Sequence, residues 1–149
     1  MSTHRPSFED FAARAGSAAC VPVFRQLVGD DLTPVSAFRR IERRAPSFLF
    51  ESVVGGEKVG RYSFLGTEPF LRFEARGDRV VVSDPGRPGS ERRYQSADPF
   101  AELEALIDRH RAAHVPGLPR FTGGAVGYAA YDAVRYTERL PDVPADDRG

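Results

Sequence analysis

The stretch that decides the fold runs from Ser47 to Gly66 and reads SFLFESVVGGEKVGRYSFLG. It contains two apolar, β-prone runs, Phe48–Val54 and Tyr62–Leu65, and a polar, glycine-rich connection lies between them. Such runs on either side of a glycine-rich connection predict the two strands of a β-hairpin. We expect the rest of the chain to be organised around this hairpin.

A polar pair, Glu51-Ser52, interrupts the first run. Burying a lone carboxylate is unfavourable, so Glu51 must be solvated, paired or used for binding. Side chains alternate along a strand, which places Phe48, Phe50 and Ser52 on one face and Leu49, Glu51 and Val53 on the other. The pair is compatible with an ordinary polar strand edge and with a site that holds the polar groups of a small ligand. Spacing alone leaves both readings open.

Composition limits the class of protein. The chain has 149 residues, and 41% of them are hydrophobic, which is enough for one ordinary domain with a core. The 21 basic and 21 acidic side chains cancel, so no net charge favours nucleic acid or an anionic membrane. A single cysteine, no membrane-length apolar run and no signal peptide predict a soluble, cytoplasmic protein.

Helices are predicted where a capping residue precedes an apolar stripe. The side-chain oxygen of the capping residue can accept a hydrogen bond from a free backbone N–H of the first turn. The predicted starts are Ser7, Thr33-Pro34 and Asp98-Pro99, and the corresponding ends are Gly16, Pro46 and the region near Ala113. A short helix is also expected within 132–140.

Further strands are predicted at Cys20–Leu27, Pro69–Arg76, Arg79–Ser83 and Glu91–Gln95, and the β-prone run Phe121–Tyr131 adds a segment with three glycines. Glycine inside a strand usually marks a bulge or a close backbone approach. Clustered strands with helices between them predict an α+β fold with a largely antiparallel sheet and packed helices.

Other candidate sites are weak. His110 and His114 would share a helix face, but no third ligand at a suitable spacing accompanies them. The glycines at 55–60 lack the Gly-Lys-Ser/Thr ending of a phosphate loop, and those at 123–127 lack dinucleotide spacing. No neighbouring base activates Cys20, so a buried structural cysteine is expected there. These residues are interpreted as structural.

Three segments carry a family resemblance: LTPVSAFRRI (32–41), FLFESVVGGEKVGRYSFLGTEP (48–69) and FTGGAVGYAAYDAVRY (121–136). In this order they resemble the N-terminal region of anthranilate synthase component I, and the resemblance covers nearly all of the chain, 1–149. Two departures are visible. Phe50 replaces the second leucine of the family's Leu-Leu-Glu-Ser motif, and Val59 replaces a tryptophan often found before Gly-Arg-Tyr-Ser.

The resemblance implies a function that spacing does not. The family converts chorismate and glutamine, or ammonia, to anthranilate and pyruvate in tryptophan biosynthesis. It uses Mg²⁺ and a glutamine amidotransferase subunit, component II. L-Tryptophan inhibits the family's enzymes by binding near Leu-Leu-Glu-Ser, so the resemblance makes Glu51 and Ser52 the expected effector contacts. The catalytic and Mg²⁺-binding residues belong to a chorismate-binding domain that is absent from this chain, which is expected to be inactive alone.

Two alternatives remain open. The N-terminal region of aminodeoxychorismate synthase component I, a folate-pathway enzyme, shares this architecture. A stand-alone, non-catalytic module that binds an amino acid or a partner protein is the alternative from another class. The context of Glu51-Ser52 and the segment at 32–38 favour the tryptophan enzyme.

Overall fold

The fold follows from the predicted hairpin and caps. The computed structural model describes residues 4–43, 46–51 and 62–141. Its elements are α1 (Phe8–Ala15), α2 (Pro34–Ile41), β1 (Ser47–Glu51), β2 (Ser63–Thr67), β3 (Arg72–Arg76), β4 (Arg79–Ser83), β5 (Arg92–Gln95), α3 (Pro99–Asp108) and a 3₁₀ helix (Tyr131–Tyr136). Within these residues every strand ladder is antiparallel, which confirms the predicted α+β class.

Side-chain caps fix the starts of the three α-helices, as predicted. Thr33 Oγ1 accepts a hydrogen bond from the Ser36 N–H at 3.1 Å, and Ser36 Oγ accepts one from the Thr33 N–H at 2.9 Å. This reciprocal pair satisfies two backbone donors at the start of α2. Ser7 and Asp98 cap α1 and α3 through their side-chain oxygens.

Removal of the α2 cap has a measurable cost. Thr33→Ala is expected to lower the free energy of unfolding by about 1 kcal/mol, since the Ser36 N–H loses its acceptor. Thr33→Ser keeps a hydroxyl at this position and is expected to retain most of the stability. Urea unfolding followed by circular dichroism measures both variants. Equal losses for alanine and serine would show that the hydroxyl does not cap α2.

Two sheets organise the strands. β1 and β2 form a two-stranded hairpin, and α2 lies against both of its strands. β3, β4 and β5 form a separate sheet in that spatial order, with β4 in the centre. Val80 and Val82 of β4 are buried, as is Val115 after α3, and they form the apolar core of the described residues.

The prediction of a strand at Cys20–Leu27 is wrong. Cys20 makes one isolated parallel bridge to Ala112, and Phe24 makes one antiparallel bridge to Arg5. Because the two partners belong to different segments, no continuous ladder forms. Pro22 lies between the two bridges and has no N–H to donate to a ladder.

The predicted end of α3 near Ala113 is also wrong, since the helix ends at Asp108. The Ala113 N–H instead donates to the Cys20 carbonyl oxygen at 2.8 Å. A tertiary hydrogen bond thus replaces a helical one, and His110 and His114 do not share a helix face.

No strand forms in the run Phe121–Tyr131 within the described structure. Gly124 has a φ of 142°, a backbone conformation that residues other than glycine rarely adopt. The short helix expected within 132–140 is a 3₁₀ turn that starts one residue earlier, at Tyr131.

Candidate functional site: the two faces of the β1–β2 hairpin

The register of the hairpin gives it two chemically different faces. Opposed Cα pairs are Phe48 with Gly66 and Phe50 with Phe64 on one face, and Leu49 with Leu65 and Glu51 with Ser63 on the other. The first face is aromatic, and the second combines leucines with polar groups at its end. The alternation predicted for Phe48, Phe50, Leu49 and Glu51 is therefore confirmed.

A glycine on β2 makes room for an aromatic ring on β1. A Cβ added to Gly66 would lie 2.6 Å from Cε1 and 3.0 Å from Cζ of Phe48, which is closer than real Cβ contacts. The Phe48 ring thus covers the backbone of Gly66. The Phe48 ring also lies beside that of Phe50, with centroids 5.4 Å apart. Gly66 therefore has a packing role that its strand position alone does not explain.

Gly66→Ala is expected to destabilise the chain by about 1–3 kcal/mol, because the new methyl group forces the Phe48 ring out of its position. Gly127→Ala is the matched control, since a Cβ at Gly127 would meet no heavy atom within 4 Å. Thermal unfolding of both variants measures the difference. Equal melting temperatures for the two would contradict this account of Gly66.

The segment after Pro119 packs against the aromatic face. The ring of Phe121 meets that of Phe64 edge to face, with centroids 5.3 Å apart and an interplanar angle of 88°. Two adjoining shallow cavities of about 230 and 250 Å³ lie along this contact. We call this feature the aromatic groove and define it by five lining residues: Phe48, Phe50, Phe64, Phe121 and Val126.

The candidate effector residues are placed only in part. Glu51 is the last residue of β1, its side chain is exposed, and it lies on the face opposite the aromatic groove. Ser52 lies outside the described residues, as do Val53 and the glycine-rich connection at 55–60. The structure thus gives the position and exposure of Glu51 alone, and the effector role of Glu51 and Ser52 stays a prediction.

Cys20 is exposed, so the expectation of a buried cysteine is wrong, and the two histidines have local structural contacts. The Nδ1 atom of His110 is 2.8 Å from the Leu106 carbonyl oxygen, and its ring contacts Phe70 with centroids 5.0 Å apart. The His114 carbonyl oxygen accepts a hydrogen bond from Arg14 at 3.4 Å. Among residues 4–43, 46–51 and 62–141, no three His, Cys, Asp or Glu side chains cluster as metal ligands.

Sequence reasoning missed the aromatic groove. The β-prone composition of Phe121–Tyr131 predicts a strand and does not predict its contact with the hairpin. One signal was available: the apolar residues of this run flank glycines, and glycine permits close approach of another element. The spacing of these glycines does not specify which element approaches them.

None of the helices in the described residues combines the length and the hydrophobicity that a membrane span requires.

The relatives found in comparisons with known proteins are all named as anthranilate synthase component 1 or its alpha subunit. Anthranilate synthase component 1 of Acetivibrio thermocellus is 39% identical over 144 residues, which are 97% of this chain and 28% of the relative. An anthranilate synthase alpha subunit of Arabidopsis thaliana is 38% identical over 95% of the chain and 24% of its own length. The Mycolicibacterium smegmatis component 1 is 35% identical over 96% of the chain and 27% of its own length.

No protein-family model matches the chain. The chain spans about a quarter of the length of these curated relatives, which is consistent with a match to their N-terminal part. Over nearly all of its own length, the chain is homologous to anthranilate synthase component 1.

Proposed function

We propose that this chain is the N-terminal, tryptophan-sensing segment of an anthranilate synthase component 1. The homology over 97% of the chain supports the family, and the exposed carboxylate at the end of β1 supports the sensing role. In this proposal Glu51 and Ser52 contact L-tryptophan. The parent enzyme is a lyase that converts chorismate and glutamine, or ammonia, to anthranilate and pyruvate.

The single observation that carries the sensing role is the placement of Glu51. Its carboxylate is exposed at the end of a strand whose other side chains are largely apolar, and it is opposite Ser63 on β2. An exposed carboxylate can accept charge-assisted hydrogen bonds from an ammonium group. A free amino acid carries such a group, and the Ser52 hydroxyl would add a second polar contact.

The other participants of the reaction belong outside this chain in our proposal. Among the described residues no three His, Cys, Asp or Glu side chains come together as a metal site, and we assign the Mg²⁺ of the family to residues outside this chain. The glutamine amidotransferase subunit and the chorismate site are assigned to the full enzyme, and this segment alone is expected to be inactive.

Inhibition follows if tryptophan binds one arrangement of the enzyme more tightly than another. A differential affinity worth about 1–3 kcal/mol is typical of allosteric coupling. In this scheme β1 transmits the bound state, because Glu51 and the groove residue Phe50 are consecutive in one strand.

A chimaera tests the proposal. Residues 1–149 replace the matched 28% of the Acetivibrio thermocellus component 1, and chorismate turnover is measured with glutamine and component II. The expected product is anthranilate, and L-tryptophan is expected to inhibit its formation. The unmodified host enzyme is the control for turnover. Because the host supplies the catalytic residues, the response to tryptophan is what reports on residues 1–149, and turnover that tryptophan does not affect would contradict the sensing role.

A further inference from the structure

One edge of the three-stranded sheet is open. β3 pairs with β4 on one side and, among the described residues, with no strand on its other side. A free strand edge presents unpaired N–H and C=O groups that can pair with another strand. β3 spans five residues, Arg72–Arg76, and its side chains alternate between exposed and half-buried. The backbone and the charges of β3 therefore decide which partner this edge accepts.

The turn between β3 and β4 fixes which backbone groups of β3 point outward. The turn has two residues, Gly77-Asp78, and Arg76 is opposite Arg79. The pair that closes a two-residue turn exchanges both of its backbone hydrogen bonds, and hydrogen-bonded pairs alternate with non-hydrogen-bonded pairs along an antiparallel ladder. Every second residue of β3, counted back from Arg76, therefore bonds to β4. The residues between them, whose backbone groups face outward, are Leu71, Phe73 and Ala75.

The charges of β3 are self-complementary. Arg72 and Glu74 lie on the exposed face of the strand, their side chains are 58% and 44% exposed, and they form an ion pair with each other. When two copies of β3 run antiparallel with Phe73 opposite Phe73, each Arg72 is opposite the Glu74 of the second copy. In this register the outward backbone groups exchange hydrogen bonds, and Arg72 and Glu74 fall at non-hydrogen-bonded pairs, where side chains are closest. Backbone and charges thus select the same register.

We propose that the free edge of β3 binds a second copy of this chain, so that two three-stranded sheets join into one six-stranded antiparallel sheet. A two-fold axis passes beside Phe73, and one Arg72–Glu74 pair between the copies lies on each side of it. Opposite charges directly across two strands are stabilising, and like charges there are destabilising. The proposal is independent of tryptophan sensing, because it uses neither the candidate effector residues nor turnover.

The other edge of the same sheet does not suit a second copy. β5 carries Arg92 and Arg93 and no acidic residue, so two paired copies of β5 would bring like charges together. Pairing of β3 with β5 of another copy is heterologous and continues into open filaments. Pairing of β3 with itself is isologous and closes at two copies. The expected species is a dimer, and it is weak because a five-residue edge buries little surface.

Charge reversal and charge exchange test this register in the 149-residue chain. Sedimentation velocity over a series of protein concentrations gives the Kd of the dimer, and a reductant prevents the exposed Cys20 from linking two copies. Glu74→Arg turns both pairs between the copies into like-charge pairs, so we expect Kd to rise at least about tenfold. Arg72→Glu combined with Glu74→Arg exchanges the two charges and is expected to return Kd to within about twofold of the original value. Glu104→Arg, at an exposed carboxylate of α3, is the matched control and is expected to leave Kd unchanged.

A backbone variant tests the edge itself. Ala75→Pro removes an N–H group that points away from β4, and proline is tolerated on edge strands where its missing N–H would face solvent. We expect this variant to abolish the dimer and to keep the cooperative thermal unfolding of the monomer. Circular dichroism of every variant checks that the fold is retained. If Glu74→Arg unfolds the chain, Arg72→Glu alone takes its place, because it reverses the same two pairs.

The outcomes decide the proposal in both directions. A dimer that is lost in Glu74→Arg and regained when the two charges are exchanged would support it. A monomer at every concentration would overturn it, as would a dimer that Glu74→Arg leaves intact or that the exchanged pair does not restore. Species larger than a dimer would show heterologous pairing and would overturn it as well.

Discussion

Ser52→Phe in the chimaera is expected to raise the tryptophan concentration that halves anthranilate formation at least about tenfold, which corresponds to about 1.4 kcal/mol of binding free energy. The substitution removes the hydroxyl that the family resemblance assigns to the effector and puts a bulky ring in its place. Loss of a hydrogen bond and steric overlap both weaken binding. The measurement is anthranilate fluorescence at a series of tryptophan concentrations.

A control variant separates effector binding from general damage. Ser17 is an exposed serine just after α1, and its hydroxyl donates a hydrogen bond to the nearby Arg14 carbonyl oxygen. Ser17→Phe is expected to leave the half-inhibiting tryptophan concentration unchanged. If Ser52→Phe also leaves it unchanged, the assignment of Ser52 as an effector contact is wrong.

Val80→Asp is expected to lower the free energy of unfolding by at least about 4 kcal/mol, because it places a carboxylate where no solvent reaches. Val80 is 0% exposed in the central strand β4, between Ala75 of β3 and Tyr94 of β5. Whole domains are stable by only about 5–15 kcal/mol. We therefore expect loss of the cooperative transition in urea unfolding followed by far-ultraviolet circular dichroism.

The neighbouring residue is the matched control. Val81 points to the other face of the sheet, is only half-buried, and is opposite Arg93 of β5. Val81→Asp is expected to cost only about 1 kcal/mol, because the new carboxylate reaches solvent and its two cross-strand neighbours, Arg93 of β5 and Glu74 of β3, have opposite charges. Similar losses at the two positions would show that β4 is not buried on one face only.

Local chemistry explains what could be predicted from sequence. The caps at Thr33 and Asp98 satisfy donors within three residues, so their sequence signals are self-contained. The strands β3 and β4 flank the turn Gly77-Asp78, and Gly77 has a φ of 57°, which glycine adopts easily. In such cases the partner group lies close in the chain.

The failures concern partners that are distant in sequence. The residues at 20–27 have a β-prone composition. Cys20 and Phe24 nevertheless form isolated β-bridges to two different segments, and no ladder results. Beyond the end of α3 at Asp108, the Ala113 N–H donates to the Cys20 carbonyl oxygen, more than ninety positions away in the sequence. Strand propensity describes a fit to a pleated, half-buried surface, and it does not specify which surface is available.

Only the local part of the candidate site can be predicted from the sequence. Alternation along β1 correctly separated Glu51 from Phe48 and Phe50. The contact of Phe121 with Phe64 joins segments more than fifty residues apart, and no local pattern encodes it. The effector role of Glu51 and Ser52 came from resemblance and stays a prediction.

The most direct test of the central claim is calorimetric titration of L-tryptophan into the chimaera that carries residues 1–149. The account predicts saturable binding at one site per chain, and it predicts that the heat signal is lost in Ser52→Phe and kept in Ser17→Phe. Binding of equal strength in both variants, or no binding to a folded chimaera that makes anthranilate, would contradict it.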